Sequence, residues 1–507
     1  MSEQITFKLN GKEVSVPKGW TVMQAAVREG VRIPHFCWHP ALEIAGVCRF
    51  CMVEVKGRPK LEIACNLKVE NNRDGSPMEV STETNIVKDA HKWGLEFHLV
   101  NHPLDCPICD QAGECKLQDF YMEVGKYKSQ MTRPKVLKPK ALDVGSELIL
   151  DTERCILCSR CVRFEEEVTK TEALGIFDRG DRAIIGTYGE EKLHHNYQEN
   201  LVDICPVGAF TSKSFRFKQR VWFLKEKESV CPGCSTGCRI SVHGKPEERT
   251  YYRIKPLVDK EVNGHWMCDK GRKTYQHQNI EERLEYSSFL EGNTRKEGDC
   301  EAGLRSLANV LNEYSADEIS LLVSAQYTVE EYRSFLKYFM TEKGVKKVFQ
   351  WRESSEKIQD FDGILLRGDK NANSAGLQNV FEEFGLLKPL ANEYNDCMTS
   401  SSKLVIALCP EVPMSFPSLK TDLEKLSKFP SVYLFTSLLM VKEIAPFANL
   451  IPMKTFFEKK GTVLNYKKLE RKLSTPYPSI VFGAKDVCES MDYLKQMSAK
   501  EIRYGHH

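Results

Sequence analysis

The sequence predicts an α+β protein of several domains, and three observations support this fold class. Fifteen of its nineteen cysteines, together with one histidine, fall into four groups of four within the first 268 residues. The first 30 residues have the pattern of a strand hairpin followed by a helix. Beyond residue 290, strand-like and helical segments alternate. A chain of 507 residues is long enough for three or four domains.

The N-terminal pattern surrounds the first of these groups. Ile5–Leu9 and Lys12–Val16 are predicted strands joined by Asn10-Gly11, a strong hairpin signal, and Thr21 can cap the helix that follows. Four thiolates suit a [2Fe–2S] or a [4Fe–4S] cluster. The hairpin, helix and cysteine-rich loop resemble a variant of the plant-type [2Fe–2S] ferredoxin domain, a β-grasp fold, and favour the smaller cluster. The first group, called the Cys37 group, consists of Cys37, Cys48, Cys51 and Cys65.

The second group follows a predicted amphipathic helix. Its apolar residues repeat at helical spacing, and Pro103 ends the helix directly after His102. An imidazole in place of a thiolate removes negative charge from a cluster and raises its potential. A zinc site with three cysteines is the alternative. The repeating residues are Ile86, Ala90, Trp93, Phe97 and Val100. The second group, called the His102 group, consists of His102, Cys106, Cys109 and Cys115.

The third group has the C-x2-C-x2-C spacing and the remote Cys-Pro pair that are typical of bacterial ferredoxins. A two-cluster ferredoxin would place a further C-x3-C-P directly after this run, whereas Val162–Glu165 follows here. We therefore predict one [4Fe–4S] cluster. This third group, called the Cys155 group, consists of Cys155, Cys158, Cys161 and Cys205.

The fourth group precedes the sequence Asp269-Lys270-Gly271-Arg272. It resembles the [4Fe–4S] segment that opens molybdopterin oxidoreductases, in which a lysine two residues past the last cysteine lies between cluster and pterin. Zinc is the alternative, because both metals use a C-x2-C hook. This fourth group, called the Cys231 group, consists of Cys231, Cys234, Cys238 and Cys268.

Bulk properties narrow the class of protein. A formal net charge of +2 gives no electrostatic case for nucleic acid. No stretch of eighteen apolar residues predicts a membrane span. The chain opens on Met1-Ser2-Glu3-Gln4 with no secretory signal, so we expect a reducing compartment that keeps thiols free. The basic, proline-containing stretch 133–140 is predicted to be an extended linker.

The region from residue 290 is predicted to be an α/β domain with a parallel sheet. It contains neither G-x-G-x-x-G nor a P-loop, so no flavin or nicotinamide site is expected on this chain. The remaining cysteines, Cys300, Cys397, Cys409 and Cys488, are predicted to be buried apolar residues, although one of them could instead bind molybdenum. The predicted strands are Ile319–Val323, Ile364–Leu366, Leu404–Ile406, Val432–Phe435 and Ile480–Phe482, with a helix carrying Val329, Tyr332, Leu336 and Phe339.

Three strings identify a family resemblance: Gly46–Val55, Asn101–Asp119 and Cys155–Arg163. They resemble the large iron–sulfur subunit, designated G, of NADH:quinone oxidoreductase, or respiratory complex I. Arg367–Ser374 and Phe457–Asn465 also resemble molybdopterin-family segments, but the region is too short for that family's cofactor domains. The resemblance therefore implies a shortened molybdopterin-oxidoreductase-like domain that has lost its pterin.

The resemblance also implies a function and partners. Electrons would come from a flavin-bearing, NADH-oxidising subunit and its [2Fe–2S] partner. They would leave to a ferredoxin-type subunit with two clusters and pass towards quinone. Other subunits of the peripheral arm would hold the chain on the cytoplasmic face of a bacterial inner membrane, with membrane contact only through partners. The chain would have no catalytic residues of its own, and it would carry one [2Fe–2S] and three [4Fe–4S] clusters, with no molybdopterin, FMN or NAD.

Three alternatives stay open from the sequence. The chain could serve an NAD-linked hydrogenase or formate dehydrogenase, whose electron-transfer subunits share these domains. It could be a truncated molybdoenzyme, or a scaffold that binds zinc at all four groups. The predicted domains are 1–80 ([2Fe–2S] ferredoxin-like), 81–125 (helical His/Cys cluster segment), 141–220 (ferredoxin-like [4Fe–4S]), 225–285 (molybdopterin-oxidoreductase-type [4Fe–4S]) and 290–507 (shortened α/β).

Overall fold

The structure is a computed structural model that describes residues 3–126, 128–129, 131–189, 191–386 and 388–504, with backbone only from 499. It divides into two compact units, Met1–Phe223 and Leu224–His507. Residues 1–2, 190, 387 and 505–507, which belong to the predicted domains 1–80, 141–220 and 290–507, lie outside the described residues. In the described ranges, no helix is both long enough and apolar enough to cross a membrane.

The first unit begins with the predicted hairpin. Asn10 and Gly11 both have positive φ, +52° and +79°, as a tight two-residue hairpin turn requires. Thr21 caps the first helix and forms a capping box with Gln24. A mixed sheet and the helix Val22–Arg28 enclose the apolar core of this part. In spatial order, the strands of the sheet are Lys12–Pro17, Gln4–Leu9, Glu79–Ser81, Met52–Val55 and Glu62–Ile63.

The predicted helix before His102 exists and spans Asn85–Leu99, but its apolar stripe does not face the core. Val87, His91 and Leu95 are buried, whereas Trp93 and Phe97 are 71% and 72% exposed. Helical spacing is the same for a core face and for an unpartnered face, so the sequence pattern could not distinguish them. The apolar stripe is thus part of the surface of the first unit.

The rest of the first unit consists of short elements joined by the loops that carry cysteines. The linker 133–140 is extended, as predicted, and Lys135 Nζ donates to the carbonyls of Leu99 and Val100 at 2.7 and 3.0 Å. The helices are Lys116–Val124, Arg160–Phe164 and Asn200–Ile204, with a π-helical turn at Glu165–Thr169 and 3-10 turns at Cys106–Ile108, Gly180–Arg182 and Val221–Phe223. The strands are Leu142–Asp143, Leu148–Leu150, Leu174–Phe177, Ile184–Thr187 and Phe210–Ser212.

The second unit begins with an antiparallel sheet and continues into a larger mixed sheet. Four neighbouring strand pairs of the larger sheet are parallel, and an antiparallel hairpin forms one edge. The antiparallel strands are Lys225–Val230, Arg239–Lys245 and Thr250–Pro256. The larger sheet has the order Thr294–Gly298, Ser287–Glu291, Asn449–Pro452, Ser431–Thr436, Leu404–Leu408, Ile319–Ser324 and Lys347–Trp351.

Helices cover the larger sheet, and two clusters of buried apolar residues form its core. The hairpin Gly461–Leu464 and Glu470–Leu473 lies apart from this sheet. The α-helices of the second unit are Asp269–Arg272, Cys300–Leu311, Val329–Leu336, Ser374–Glu383, Tyr394–Thr399, Leu419–Lys425, Met440–Ile444 and Val487–Tyr504. Its 3-10 and π turns are Pro246–Glu248, Lys273–Gln278, Ile280–Glu282, Ala316–Glu318, Lys337–Glu342, Pro413–Ser415 and Leu426–Lys428.

The α/β prediction for this region is confirmed, but two predicted strands are wrong. Ile364–Leu366 and Ile480–Phe482 lie in loops, and Phe482 is 99% exposed. The sheet instead uses Lys347–Trp351 and Asn449–Pro452, which the sequence analysis missed. Short apolar runs do not identify strands, because a loop that packs over a core has the same composition.

Candidate iron–sulfur sites

The Cys37 group is drawn together in the first unit. Cys37 forms side-chain hydrogen bonds with Cys48 and Cys65, which hold the pKa of the Cys37 thiol well below its usual range. Cys65 also contacts Cys51, and hydrogen bonds to Cys37 and Cys51 raise the pKa of the Cys65 thiol. Arg49, between two of these cysteines, has a φ of +52°. The loop therefore curls round the four thiols, and all four are buried.

The His102 group lines a cavity of about 1120 Å³ in the first unit. Burial lowers the pKa of His102 to about 4, so its imidazole is neutral near pH 7, as a ligand must be. Its Nδ1 is buried and has no hydrogen-bond partner among the described residues. Burial also raises the pKa of the Cys115 thiol to about 12. Cys106 and Cys109 line the same cavity.

Two arginines and a glycine hold the backbone round the His102 group. Arg220 Nη1 donates to the Cys109 carbonyl at 2.8 Å, and Arg220 also donates to the Pro107 carbonyl. Arg154 is buried, pairs with Asp105 at 3.1 Å, and its charge lowers the pKa of the Cys109 thiol against the larger effect of burial. Gly208 faces Cys109 with no room for a side chain between them.

The Cys155 group is enclosed by backbone in an unusual conformation. Leu157 and Ser159 lie on either side of Cys158 in the chain and have φ values of +55° and +59°. The Leu157 N–H donates to Cys155 Sγ at 3.4 Å. Burial raises the pKa of the Cys155 thiol to about 12 and that of the Cys158 thiol to about 11.

The Cys155 group contacts both other groups of the first unit. On one side, Arg163 donates to the Cys37 carbonyl, and the charge of Cys37 contributes to the raised pKa of Cys158. On the other side, the Lys116 N–H donates to the Pro206 carbonyl at 3.0 Å, directly after Cys115 and Cys205 in the chain. The Cys155 group is therefore in contact with the loops of both other groups, although the His102 group separates it from the Cys37 group in sequence.

The Cys231 group lines one cavity of about 650 Å³ in the second unit, together with Lys270, Arg367 and Met414. Burial raises the pKa of the Cys231 and Cys238 thiols well above the usual range, and that of Cys268 to about 12. The Gly271 N–H donates to Cys268 Sγ at 3.3 Å, which makes this thiol the cap of the helix Asp269–Arg272.

These donor sets fit iron–sulfur clusters. The cysteines of the described chain are all free, so disulfides do not account for the converging thiols. Burial disfavours the thiolate form of most of these cysteines, and a bound cationic centre would hold them deprotonated. In the described ranges, no three His, Cys, Asp or Glu side chains surround a single-ion position. Each thiolate of a cubane binds its own iron, so ligands of that kind need not surround a common point.

The segments that resemble molybdopterin enzymes are engaged in internal bonds of the second unit. Lys459 Nζ is buried between Glu411 and Glu331, at 2.8 and 3.1 Å. Glu458 makes a two-point pair with Arg283 at 3.0 and 2.9 Å. Asp369 is bound by Arg352 at 2.7 Å, and Asn373 Nδ2 donates to the Tyr327 carbonyl at 2.7 Å. Asn465 donates to the Thr236 carbonyl at 3.3 Å. These residues therefore cross-link the α/β domain.

The remaining cysteines lie apart from the four groups. Cys300, Cys397 and Cys409 are at most 2% exposed, as predicted, and Cys488 is half-buried. Sequence reasoning missed Gly208 and Arg160, which both lie close to ligand positions. Their positions in the sequence could have indicated this, since Arg160 directly precedes Cys161 and Gly208 is three residues past Cys205.

Four parts of the chain match known domain families. Residues 2–96 match the 2Fe-2S iron–sulfur cluster binding domain, and residues 94–130 match the NADH-ubiquinone oxidoreductase-G iron–sulfur binding region. Residues 145–211 match the ferredoxin-like domain of NADH-quinone oxidoreductase subunit 3. Residues 224–279 match the molybdopterin oxidoreductase Fe4S4 domain.

Longer relatives share the same description. The NADH-quinone oxidoreductase G subunit of Rickettsia felis is 36% identical over 327 residues, which are 64% of this chain and 47% of that protein. The mitochondrial NADH dehydrogenase [ubiquinone] iron–sulfur protein 1 of Solanum tuberosum is 42% identical over 269 residues, 53% of this chain and 35% of that protein. These alignments span less than half of each relative.

Among solved structures, a chain of an NAD+-reducing [NiFe]-hydrogenase in the H2-reduced state is similar. It has 28% identity and a TM-score of 0.37, and the match covers 43% of this chain and 91% of that one.

The fold and these matches define the class of the chain: it has a 2Fe–2S binding domain, 4Fe–4S binding regions and a molybdopterin oxidoreductase Fe4S4 domain, in this order. Its predicted fold class is confirmed. The chain is similar to the large iron–sulfur subunit of NADH-quinone oxidoreductase, as the three sequence strings predicted.

Proposed function

We propose that this chain carries single electrons within an NADH:quinone oxidoreductase, from the flavin-bearing subunit towards quinone. The observation that carries the proposal is the contact of the Cys155 group with both the Cys37 and the His102 groups in the first unit. Iron–sulfur clusters take up and release one electron at a time. Hydrogen bonds join the Cys155 group to the loops of the Cys37 and His102 groups. These contacts support a continuous path for electrons through the first unit.

The ligands we propose are the four groups predicted from the sequence. The Cys37 group would hold a [2Fe–2S] cluster, and the other three groups would hold [4Fe–4S] clusters, about fourteen iron atoms per chain. The protein residues bury the thiols, donate backbone N–H groups to sulfur and exclude water, which are the means by which a protein tunes cluster potentials.

The surface beside the His102 group suits delivery of electrons to a partner. Trp93 and Phe97 of the exposed stripe line the same cavity as His102, together with Leu104 and Met122, and these four side chains are 71–77% exposed. Contiguous exposed apolar surface of this kind marks protein interfaces. We propose that a ferredoxin-type subunit with two clusters docks here, and that the flavin subunit and its [2Fe–2S] partner deliver electrons to the Cys37 group.

A partner of this kind would place the chain on the cytoplasmic face of a bacterial inner membrane, held there by other subunits of the complex. Purification from its own host, followed by identification of the subunits that accompany it, tests this assembly. Hydrogenase or formate dehydrogenase subunits in place of quinone-reducing ones would contradict it.

The test of function is Cys106→Ala in the assembled complex. We expect quinone reduction by NADH to be lost, while NADH oxidation by a small acceptor at the flavin subunit persists. Iron should fall by about four atoms per chain. Cys300→Ala, which removes a buried cysteine far from any group, should retain both the iron and the quinone activity. Full quinone reduction in the Cys106 variant would refute the proposal.

A further inference from the structure

Arg160 is a buried cation that has no acidic partner among the described residues. It belongs to the helix Arg160–Phe164 and is 8% exposed. Within the part of the chain that the structure describes, no carboxylate forms an ion pair with it. Burying an unpaired charge in a protein costs several kcal/mol, so buried charges are normally compensated.

The thiols that face Arg160 are cluster ligands of two different sites, and Arg163 is a second cation beside it. Cys158 and Cys205 belong to the Cys155 group and Cys37 to the Cys37 group, and the charges of these three thiols favour the protonated guanidinium against the effect of burial on its pKa. The hydrogen bonds of the Arg160 side chain also connect the same two groups. Nη1 donates to the carbonyl of Ile204, which precedes Cys205, at 2.9 Å. Nη2 donates to the carbonyl of Trp38, which follows Cys37, at 2.5 Å.

We infer that Arg160 is a positioning residue shared by two clusters: its charge stabilises the reduced state of both, and its two hydrogen bonds hold the ligand loops together. The inference rests on the proposed function, because it requires clusters in the Cys37 and Cys155 groups. Reduction adds one negative charge to a cluster, so a nearby fixed positive charge makes reduction more favourable.

At the His102 group, the buried cation Arg154 is paired with Asp105 and Asp151 at 3.1 and 3.4 Å. Arg154 therefore has carboxylate partners of its own, in contrast to Arg160. The His102 group thus supplies an internal reference in the same chain.

The test is a redox titration, followed by EPR, of the full chain purified without air. In Arg160→Gln, which keeps hydrogen-bond donors but removes the charge, we expect the equilibrium constant for reduction of the Cys155 cluster to fall about tenfold, a negative shift of about 59 mV for one electron. The Cys37 cluster should shift in the same direction by less, and the His102 cluster should stay at its wild-type potential.

Two further variants separate charge from structure. Arg160→Lys keeps the charge and should restore potentials to within about threefold of the wild-type equilibrium constants, or about 30 mV. Arg182→Gln removes the same charge at an exposed position and should leave every potential unchanged.

Unshifted potentials in an iron-replete Arg160→Gln protein would overturn the inference and leave the proposed function standing. Absence of cluster signals from the wild-type protein would instead refute the proposed function. If Arg160→Gln loses its iron, the Arg160→Lys variant decides. Wild-type potentials and full iron in Arg160→Lys would support a charge that acts on both clusters. Loss of iron from Arg160→Lys to the same extent would overturn the inference.

Discussion

Gly208 packs against Cys109 so closely that a Cβ atom on Gly208 would lie 2.2 Å from Cys109 Sγ. Real Cβ atoms do not approach other atoms to this distance, so the Cys155 and His102 groups meet at a position where only glycine fits. The contact joins a ligand of one group to the loop that follows Cys205 of the other.

We therefore expect Gly208→Ala to displace Cys109 and to cost the protein the iron of the His102 group, about four atoms per chain. Iron analysis together with EPR would measure this. Gly186→Ala is the matched control, because its new Cβ meets only Phe177 at an ordinary 3.4 Å. Full iron in the Gly208 variant would contradict this expectation.

The neutral imidazole of His102 makes its cluster less negative than a four-thiolate site. We expect His102→Cys to retain the cluster and to shift its potential in the negative direction by at least about 60 mV, or tenfold in the reduction equilibrium constant. A redox titration measures the shift. His194→Cys is a suitable control, since His194 is exposed and belongs to none of the four groups. An unchanged potential would remove His102 from the ligand set.

The exposed stripe near the His102 group gives a prediction about the partner. Replacing Trp93 and Phe97 together by glutamine should lower quinone reduction about tenfold by weakening docking, since aromatic residues often dominate interfaces. The iron content should not change. Ile176→Gln, at another exposed apolar position of the first unit (49% exposed), is the control. Wild-type activity of the double variant would exclude this face as the docking surface.

The candidate ligand groups could be proposed from the sequence, whereas the burial of several elements could not, and the reason is physical. Ligand spacing is a local property, so the four groups could be proposed from the chain alone, and the Asn10-Gly11 turn is equally local. Burial depends on which elements pack against each other, and short apolar runs in the sequence do not determine this packing. The stripe of Trp93 and the loop of Ile480–Phe482 were misjudged for this reason. The same holds for Arg160, whose function depends on carbonyls that are distant in sequence.

Glu411 makes the stability of the second unit depend on pH. Burial raises its pKa to about 7 against the opposing charge of Lys459. A carboxyl whose pKa is higher in the folded state stabilises the protein most below its unfolded pKa of 4.5, and this contribution is lost as pH rises through 7. As the pH rises from 5 to 8, the wild type should therefore lose free energy of unfolding that Glu411→Gln keeps. The difference between the two proteins should change by on the order of 2 kcal/mol in favour of the variant.

Thermal unfolding at the two pH values measures that gain. Glu383→Gln is the control, because Arg333 lowers the pKa of Glu383 and any loss of its contribution lies below pH 5. A difference between wild type and Glu411→Gln that stays constant with pH would contradict the assignment.

The hydrogen bonds that join the Cys155 loop to both neighbouring loops have a consequence for maturation of the protein. Arg163 fixes the backbone of Cys37, and the Pro206 carbonyl receives the N–H that follows Cys115. Insertion of iron into the Cys155 group would order the loops of the Cys37 and His102 groups. It would therefore lower the entropy cost of iron binding at those two groups. Metal loading in this half of the chain should accordingly be cooperative, so that partially filled intermediates stay scarce during biogenesis.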